Sequence, residues 1–288
     1  MQAITLWLLA RPYNAILALT ATLFLPAPQL ISGAIVVLLV LSKGFRKAVT
    51  ALFIPAAVAT VIPLIFGGSL ISILSLMVGT WVPALLLALV LVKTRSLTLT
   101  LQMLVIMAIV ALTLFQLVVP DSVAFWQPYL DTMTQLLREN GMQLDAELLT
   151  ADIMTISAAF VFWALYATAL LFGYSLYKQL PMETVEFGWF KDLDFGRIIA
   201  FALAFFSILA FTFGSSWYQS IAFILFAMFM MQGLAILHWL RSEGMMPLIV
   251  VVSVYIILPF LQIFLVMALS IIGYIDALLG FRRRLKRK

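Results

Sequence analysis

Long apolar runs separated by short polar breaks recur from one end of the chain to the other, and this pattern predicts most of its elements. Residues 12–42 form a nearly continuous apolar run with Pro26-Ala27-Pro28 near its middle. As one helix it would be about 45 Å long at about 1.5 Å per residue, well beyond a hydrocarbon core of about 30 Å. Each proline also removes a backbone donor and disfavours helix just before it. The run therefore reads as two short helices, 13–25 and 30–41, meeting at a turn. Their shortness calls for tilting, local thinning of the bilayer or a re-entrant arrangement. Lys43-Gly44-Phe45-Arg46-Lys47 closes the pair. Spans are expected at 48–66, with Pro55 and Pro63 inside, at 70–92 and at 97–119. In the second of these, Ser75, Gly79, Thr80, Ala84 and Ala88 form a stripe of small residues, read as bundle packing, with a partner-docking face as the other reading.

Residues 120–152 are the long polar stretch of the chain. Asp121, Asp131, Glu139, Asp145, Glu147 and Asp152 stand there against Arg138 alone. Gln127-Pro128 is expected to start a helix, with proline at its first position, and Asn140-Gly141 to stop it. Tyr129, Met133, Leu136 and Leu137 fall on one face, so this helix should lie flat on the bundle or the bilayer. A second amphipathic turn is expected through Leu144, Leu148 and Leu149. The acidity argues against docking on anionic lipid. The segment reads as a solvated cover, with a lid over the bundle as the other reading.

Further spans are expected at 153–177, 198–213 and 217–240. The loop 178–197 mixes Lys178, Lys191 and Arg197 with Glu183, Glu186, Asp192 and Asp194, and carries Trp189 and Phe190, a composition suited to the headgroup level. The stretch 245–288 is apolar, broken at Pro259, and runs through Gly273-Tyr274-Ile275-Asp276 into Arg282, Arg283, Arg284, Lys286, Arg287 and Lys288. With a hairpin at Pro26 and another at Pro259, and both termini cytoplasmic, Arg138 alone of all the lysines and arginines falls outside. A single final span would instead put the basic tail outside, against the positive-inside rule. This implies roughly ten membrane-entering helices, or about eight with each broken pair counted once. The organisation is one integral membrane domain: helices over 1–119, the acidic external segment 120–152, helices over 153–280, and a basic cytoplasmic tail 281–288.

Composition agrees with the pattern. The chain has 288 residues, 65% hydrophobic and 10% charged, with a mean hydropathy of +1.17. Soluble domains are about 45–50% apolar and about 25% charged. The runs are continuous rather than alternating, so the expected fold is an all-α polytopic transmembrane bundle and not a barrel. Arg11 precedes the first run and no small-residue cleavage site follows, so that run is expected to be retained. The absence of cysteine excludes disulfides, haem-thiolate, iron–sulfur clusters and Cys-ligated zinc. The net charge of +5 comes largely from the tail. Lys43, Arg46, Lys47, Arg282, Arg283 and Arg284 are expected to set topology and meet lipid headgroups, with Asp276 paired to the tail arginines around Arg282 as an anchor. Nucleic acid is not an expected partner, because no stacking aromatics interleave these charges.

No Asp, Glu, Lys or Arg falls near the middle of an expected span, which argues against proton relays. No phosphate-binding glycine loop, metal-ligand set or catalytic constellation is present, so no enzyme, cofactor or metal is expected. Uncharged polarity remains within the spans: Asn14, Gln102, Gln116, Tyr166, Tyr174, Gln219, Gln232, Ser253, Tyr255 and Gln262. These groups serve helix packing or a binding cavity. Gln232, Gly233, Gln116 and Tyr255 are the candidate ligand-binding residues, Gln232-Gly233 being best placed because glycine permits close backbone approach beside an amide.

Three places carry a resemblance: the broken hairpin ending in Ser42-Lys43-Gly44-Phe45-Arg46-Lys47, the stretch Gln232-Gly233-Leu234-Ala235 ahead of His238, and Gly273-Tyr274-Ile275-Asp276 followed by Phe281-Arg282. In layout the chain resembles the YybS-like family of bacterial membrane proteins. That layout is in turn similar to the substrate-binding S components of energy-coupling factor transporters, helical bundles that bind vitamins or metal ions. The resemblance implies a multi-pass protein of the bacterial inner membrane that binds or transports a small hydrophobic, vitamin-like or lipidic molecule. The alternative is a non-transporting scaffold or assembly factor that contacts a membrane-protein partner through its external segment or basic tail.

Overall fold

The computed structural model describes residues 2–65, 67, 69–141, 150–181, 184–258 and 260–285. Helix dominates, and no strand occurs among the described residues. α1 (Gln2–Ala10), α2 (Pro12–Leu23) and α3 (Pro28–Lys43) open the chain. They are followed by α4 (Phe45–Ile65), α5 (Leu70–Thr94), α6 (Leu97–Val118), α7 (Ser122–Glu139) and α8 (Ala151–Lys178). A single 3-10 turn at Phe190–Asp192 leads into α9 (Gly196–Phe213), α10 (Ser216–Ser242), α11 (Leu248–Ile257), α12 (Gln262–Leu279) and the short α13 (Phe281–Leu285). α4, α5, α6, α8, α9 and α10 are each long and apolar enough to cross a bilayer, whereas α3, α11 and α12 are shorter apolar helices. The chain is an all-α, multi-pass membrane protein. Its contacts divide it into two units, Met1–Leu104 with Trp163–Gly188, and Val105–Phe162 with Trp189–Lys288.

In the first unit, α3 is the enclosed element. Every residue from 32 to 40 is buried, as expected for a helix that is apolar all round. Gly33 lets α3 approach Ala84 of α5 and Ala169 of α8, and Gly173 brings α8 against the Ala34 carbonyl. The Trp81 indole donates to Ser32 Oγ at 2.8 Å, and the Tyr166 hydroxyl donates to the Gly79 carbonyl. From the small stripe on α5, Thr80, Ala84 and Ala88 are buried, while Ser75 and Gly79 are exposed. The break between α2 and α3 falls at the two prolines. Ala27 turns it in a left-handed conformation (φ 53°), and Pro28 supplies the first turn of α3. One element differs from expectation: the residues before Pro12 form α1, which meets α2 at 112°. Asn14 secures that bend by donating to the Trp7 carbonyl at 2.6 Å.

Beyond α8, the loop of this unit is held by tyrosines. Tyr174 accepts from Phe187 N–H at 2.9 Å and donates to the Gly188 carbonyl, while Tyr177 accepts from Val185 N–H. Phe187 is buried, and its carbonyl receives Leu97 N–H at 2.8 Å.

In the second unit, α10 plays the enclosed part, with residues 227–236 all buried. It crosses α12 at two facing glycines. A β-carbon on Gly233 would strike the Leu269 carbonyl, and one on Gly273 would strike the Phe229 carbonyl and come within 2.9 Å of Gly233 N. The two backbones therefore touch directly. α9 packs beside both helices and exposes Ile198, Phe201, Phe205, Ile208 and Phe211. α11 and α12 are separate helices, although Pro259 between them lies outside the described residues.

α7 also belongs to this unit and corrects one expectation. The helix begins six residues before Gln127-Pro128 would place its first position, because Asp121 caps it by accepting Ala124 N–H at 2.9 Å. Pro128 is tolerated inside it, and Asn140 and Gly141 end it. Residues 142–149, including Leu144, Asp145, Glu147, Leu148 and Leu149, lie outside the described set.

Candidate functional site

Two places in the second unit combine enclosure with defined chemistry. The first is an apolar crevice of about 260 Å³ between α6, α7 and α8. Alanines make the space: Ala108 and Ala111 on α6 face Ala158 and Ala159 on α8. Aromatic side chains roof it. Phe115 meets Phe125 edge-on at 5.1 Å and lies 5.9 Å from Trp126, and Phe125 meets Trp126 edge-on at 4.9 Å. Two side-chain polar atoms in the lining are already committed. Trp126 Nε1 donates to Thr155 Oγ1 at 2.9 Å, and that hydroxyl donates to the Ala151 carbonyl at 2.9 Å. Whatever occupies the crevice meets hydrocarbon and aromatic faces.

The second place is a buried polar cluster one turn from the glycine crossing. Asp276 is 3% exposed and Arg282 8%. Asp276 Oδ2 accepts from Arg282 Nε at 2.7 Å and from Gln232 Nε2 at 3.0 Å, and Arg282 Nη2 lies 2.7 Å from the same oxygen as an ion pair. Arg282 also donates Nη1 to the Lys191 carbonyl at 3.0 Å and Nη2 to the Leu193 carbonyl. Gln232 Oε1 accepts Phe195 N–H at 2.9 Å. Gly280, left-handed at φ 60°, ends α12 and turns the chain so that Arg282 folds back onto Asp276. The cluster thus ties α10, α12 and the loop before α9 into one piece. Every group in it has a partner of the right kind, which is the condition for holding charge away from water.

The residues expected to bind ligand are not brought together. Gln232 is fully enclosed and both ends of its amide are engaged, and Gly233 is the contact point with α12. Gln116 is exposed near the far end of α6. Tyr255 on α11 is 45% exposed, and its hydroxyl lies 2.9 Å from His238 Nε2, with Phe190 edge-on to that imidazole at 5.4 Å. Among the basic residues, Arg46 and Lys47 are exposed and Lys43 half-buried. Arg282 pairs with Asp276, as expected of the tail arginines, but it is buried beside that carboxylate rather than presented to headgroups, because its guanidinium is spent on Asp276 and two backbone carbonyls. The side chains of Arg283, Arg284 and Gln262 lie outside the described set, as do residues 286–288. Among the described residues, no group of three His, Asp or Glu side chains could hold a metal ion.

The crevice has no counterpart among the residues expected to bind ligand. Its signal was present in Ser157-Ala158-Ala159, small residues in an otherwise bulky span, and in Phe125-Trp126 just after a capping Asp121. No protein-family model, curated protein or solved structure matches the chain.

Proposed function

We propose that this is a YybS-like multi-pass protein of the bacterial inner membrane, with both termini cytoplasmic, that binds a small hydrophobic molecule in the crevice beneath α7. The observation that carries this reading is the crevice itself: alanines on facing helices leave room, aromatics close it, and its indole and hydroxyl are hydrogen-bonded to each other and to backbone. At about 260 Å³ it lies just under the range of about 300–1,000 Å³ typical of pockets for drug-sized ligands. It suits a slim apolar group. A polar vitamin would leave its own donors and acceptors unpaired there, at a cost of about 1–3 kcal/mol each.

A neutral, polarity-sensitive naphthalene dye titrated into the purified protein should bind saturably, with blue-shifted emission. Ala159→Trp fills the crevice and should weaken that binding about tenfold, as expected when a bulky group competes for the same space. Unsaturable binding, or binding indifferent to Ala159→Trp in a protein that keeps its helix content, would rule the reading out.

A further inference from the structure

α7 carries its apolar residues in two adjacent rows. Trp126, Leu130, Thr134 and Leu137 form the inner row, half-buried or buried. Phe125, Tyr129, Met133 and Leu136 form the neighbouring row and are 42–57% exposed. At about 100° per residue the two rows make one continuous apolar half of the helix. The other half bears Gln127, Asp131, Gln135, Arg138 and Glu139, with Gln127 donating to Asp131 and Gln135 to Glu139, each at 2.9 Å. A helix on solvated protein surface has no use for a second, exposed apolar row. A helix lying at a bilayer surface does.

The neighbouring chain favours that placement. Leu114, Leu117 and Val118 at the end of α6 are 54–76% exposed, as lipid-facing residues are. Only residues 119–121 join α6 to α7, a joint that reaches at most about 14 Å. The exposed row of α7 therefore continues the apolar surface of α6. The crevice opens onto the same surface, because Ala111 and Ala158 in its lining are exposed. An occupant arrives sideways from hydrocarbon. Asp121, Asp131, Glu139 and Asp152 around this end, against Arg138, repel an anionic headgroup.

We infer that the crevice holds the hydrocarbon chain of a net-neutral bilayer lipid, with α7 lying in the headgroup layer as its roof. The inference rests on the apolar-binding reading above and names its ligand class. The chain has no cysteine, so single cysteines carrying nitroxides can be placed without background. In phosphatidylcholine nanodiscs, labels at Tyr129→Cys and Met133→Cys should favour contact with oxygen, and labels at Gln127→Cys and Asp131→Cys contact with a water-soluble nickel chelate. Water contact at all four, or spin–spin broadening from a second copy at 129 and 133, would overturn the placement.

For the ligand, protein reconstituted with equal phosphatidylcholine and phosphatidylglycerol and released in gentle detergent should retain phosphatidylcholine by native mass spectrometry. Ala158→Phe should lower retention about tenfold. Saturable dye binding with no lipid retained would refute the lipid while leaving the apolar-binding reading intact. Preferential retention of phosphatidylglycerol would refute the headgroup selection. Failure of both dye and lipid would remove both readings. The label depths are read without replacing any residue that lines the crevice, so a misfolded Ala158→Phe protein does not shelter the proposal.

Discussion

At the scale of single residues, the Asp276–Arg282 pair is the more enclosed of the two ion pairs among the described residues. A charge this enclosed is tolerable only because its partner and every remaining donor are satisfied. Arg282→Ala leaves Asp276 buried and unpaired and should cost about 3–5 kcal/mol of stability, measured by denaturant unfolding of the purified protein. Arg282→Lys should fall between that variant and the wild type, since a lysine cannot reach the carboxylate and two carbonyls with one planar fork. Asp276→Leu with Arg282→Leu should cost less than either single removal; a double cost equal to the sum of the two single costs would mean that the two charges are not coupled. The pairing was legible in the sequence because Asp276 is the acid that stands nearest the basic tail. Its completion was not. The carbonyls of Lys191 and Leu193 and the N–H of Phe195 are backbone groups that leave no mark in a sequence, and the amide of Gln232 announces polarity without naming a partner.

At the scale of elements, the crossing of α10 and α12 depends on two positions where no side chain fits. Gly233→Ala or Gly273→Ala sets a β-carbon against a carbonyl of the other helix, which must then move. Each should cost about 1–3 kcal/mol. Gly79→Ala, in a helix with open space around it, should be neutral or stabilise by up to about 1 kcal/mol. Thermal unfolding of the three variants side by side checks this, and equal losses would refute the role of the crossing. The helices themselves were readable, since continuous apolar runs ending at Lys93, Arg95 or Gly214 leave few alternatives. That Gly233 faces Gly273 was not, because the contact joins residues 40 positions apart by backbone alone. The start of α7 was misread for a related reason. Pro128 is a local starting signal, but Asp121 caps the helix earlier, and the row of Trp126 and Leu130 packs well enough to carry the proline inside.

At the scale of the whole molecule, apolar length establishes a multi-pass membrane protein, and the distribution of charge supports one direction of threading. With the proposed topology, a membrane-impermeant maleimide should label Glu139→Cys in intact cells and Lys47→Cys only after permeabilisation. The reverse pattern would invert the orientation. The division into two units had little counterpart in the sequence: two of its boundaries fall within α6 and α8, where no linker, glycine cluster or change of composition marks them, and only the third, between Gly188 and Trp189, lies in a polar loop.

The buried ion pair bears on the order in which the molecule is made. Lys191 and Leu193 emerge from the ribosome some 90 residues before Arg282, whose guanidinium completes the bonding of their carbonyls, and Gln232 emerges 44 residues before Asp276. Until then their backbone groups and the Gln232 amide need water, so the hairpin of α9 and α10 must remain wet at that end. Asp276 and Arg282 emerge together, on either side of the turn at Gly280, and so arrive already neutralised. Closing the cluster is thus a late step in biogenesis. A ribosome stalled between Gln232 and Asp276 would hold a chain whose earlier spans are inserted and whose loop is still open to proteases.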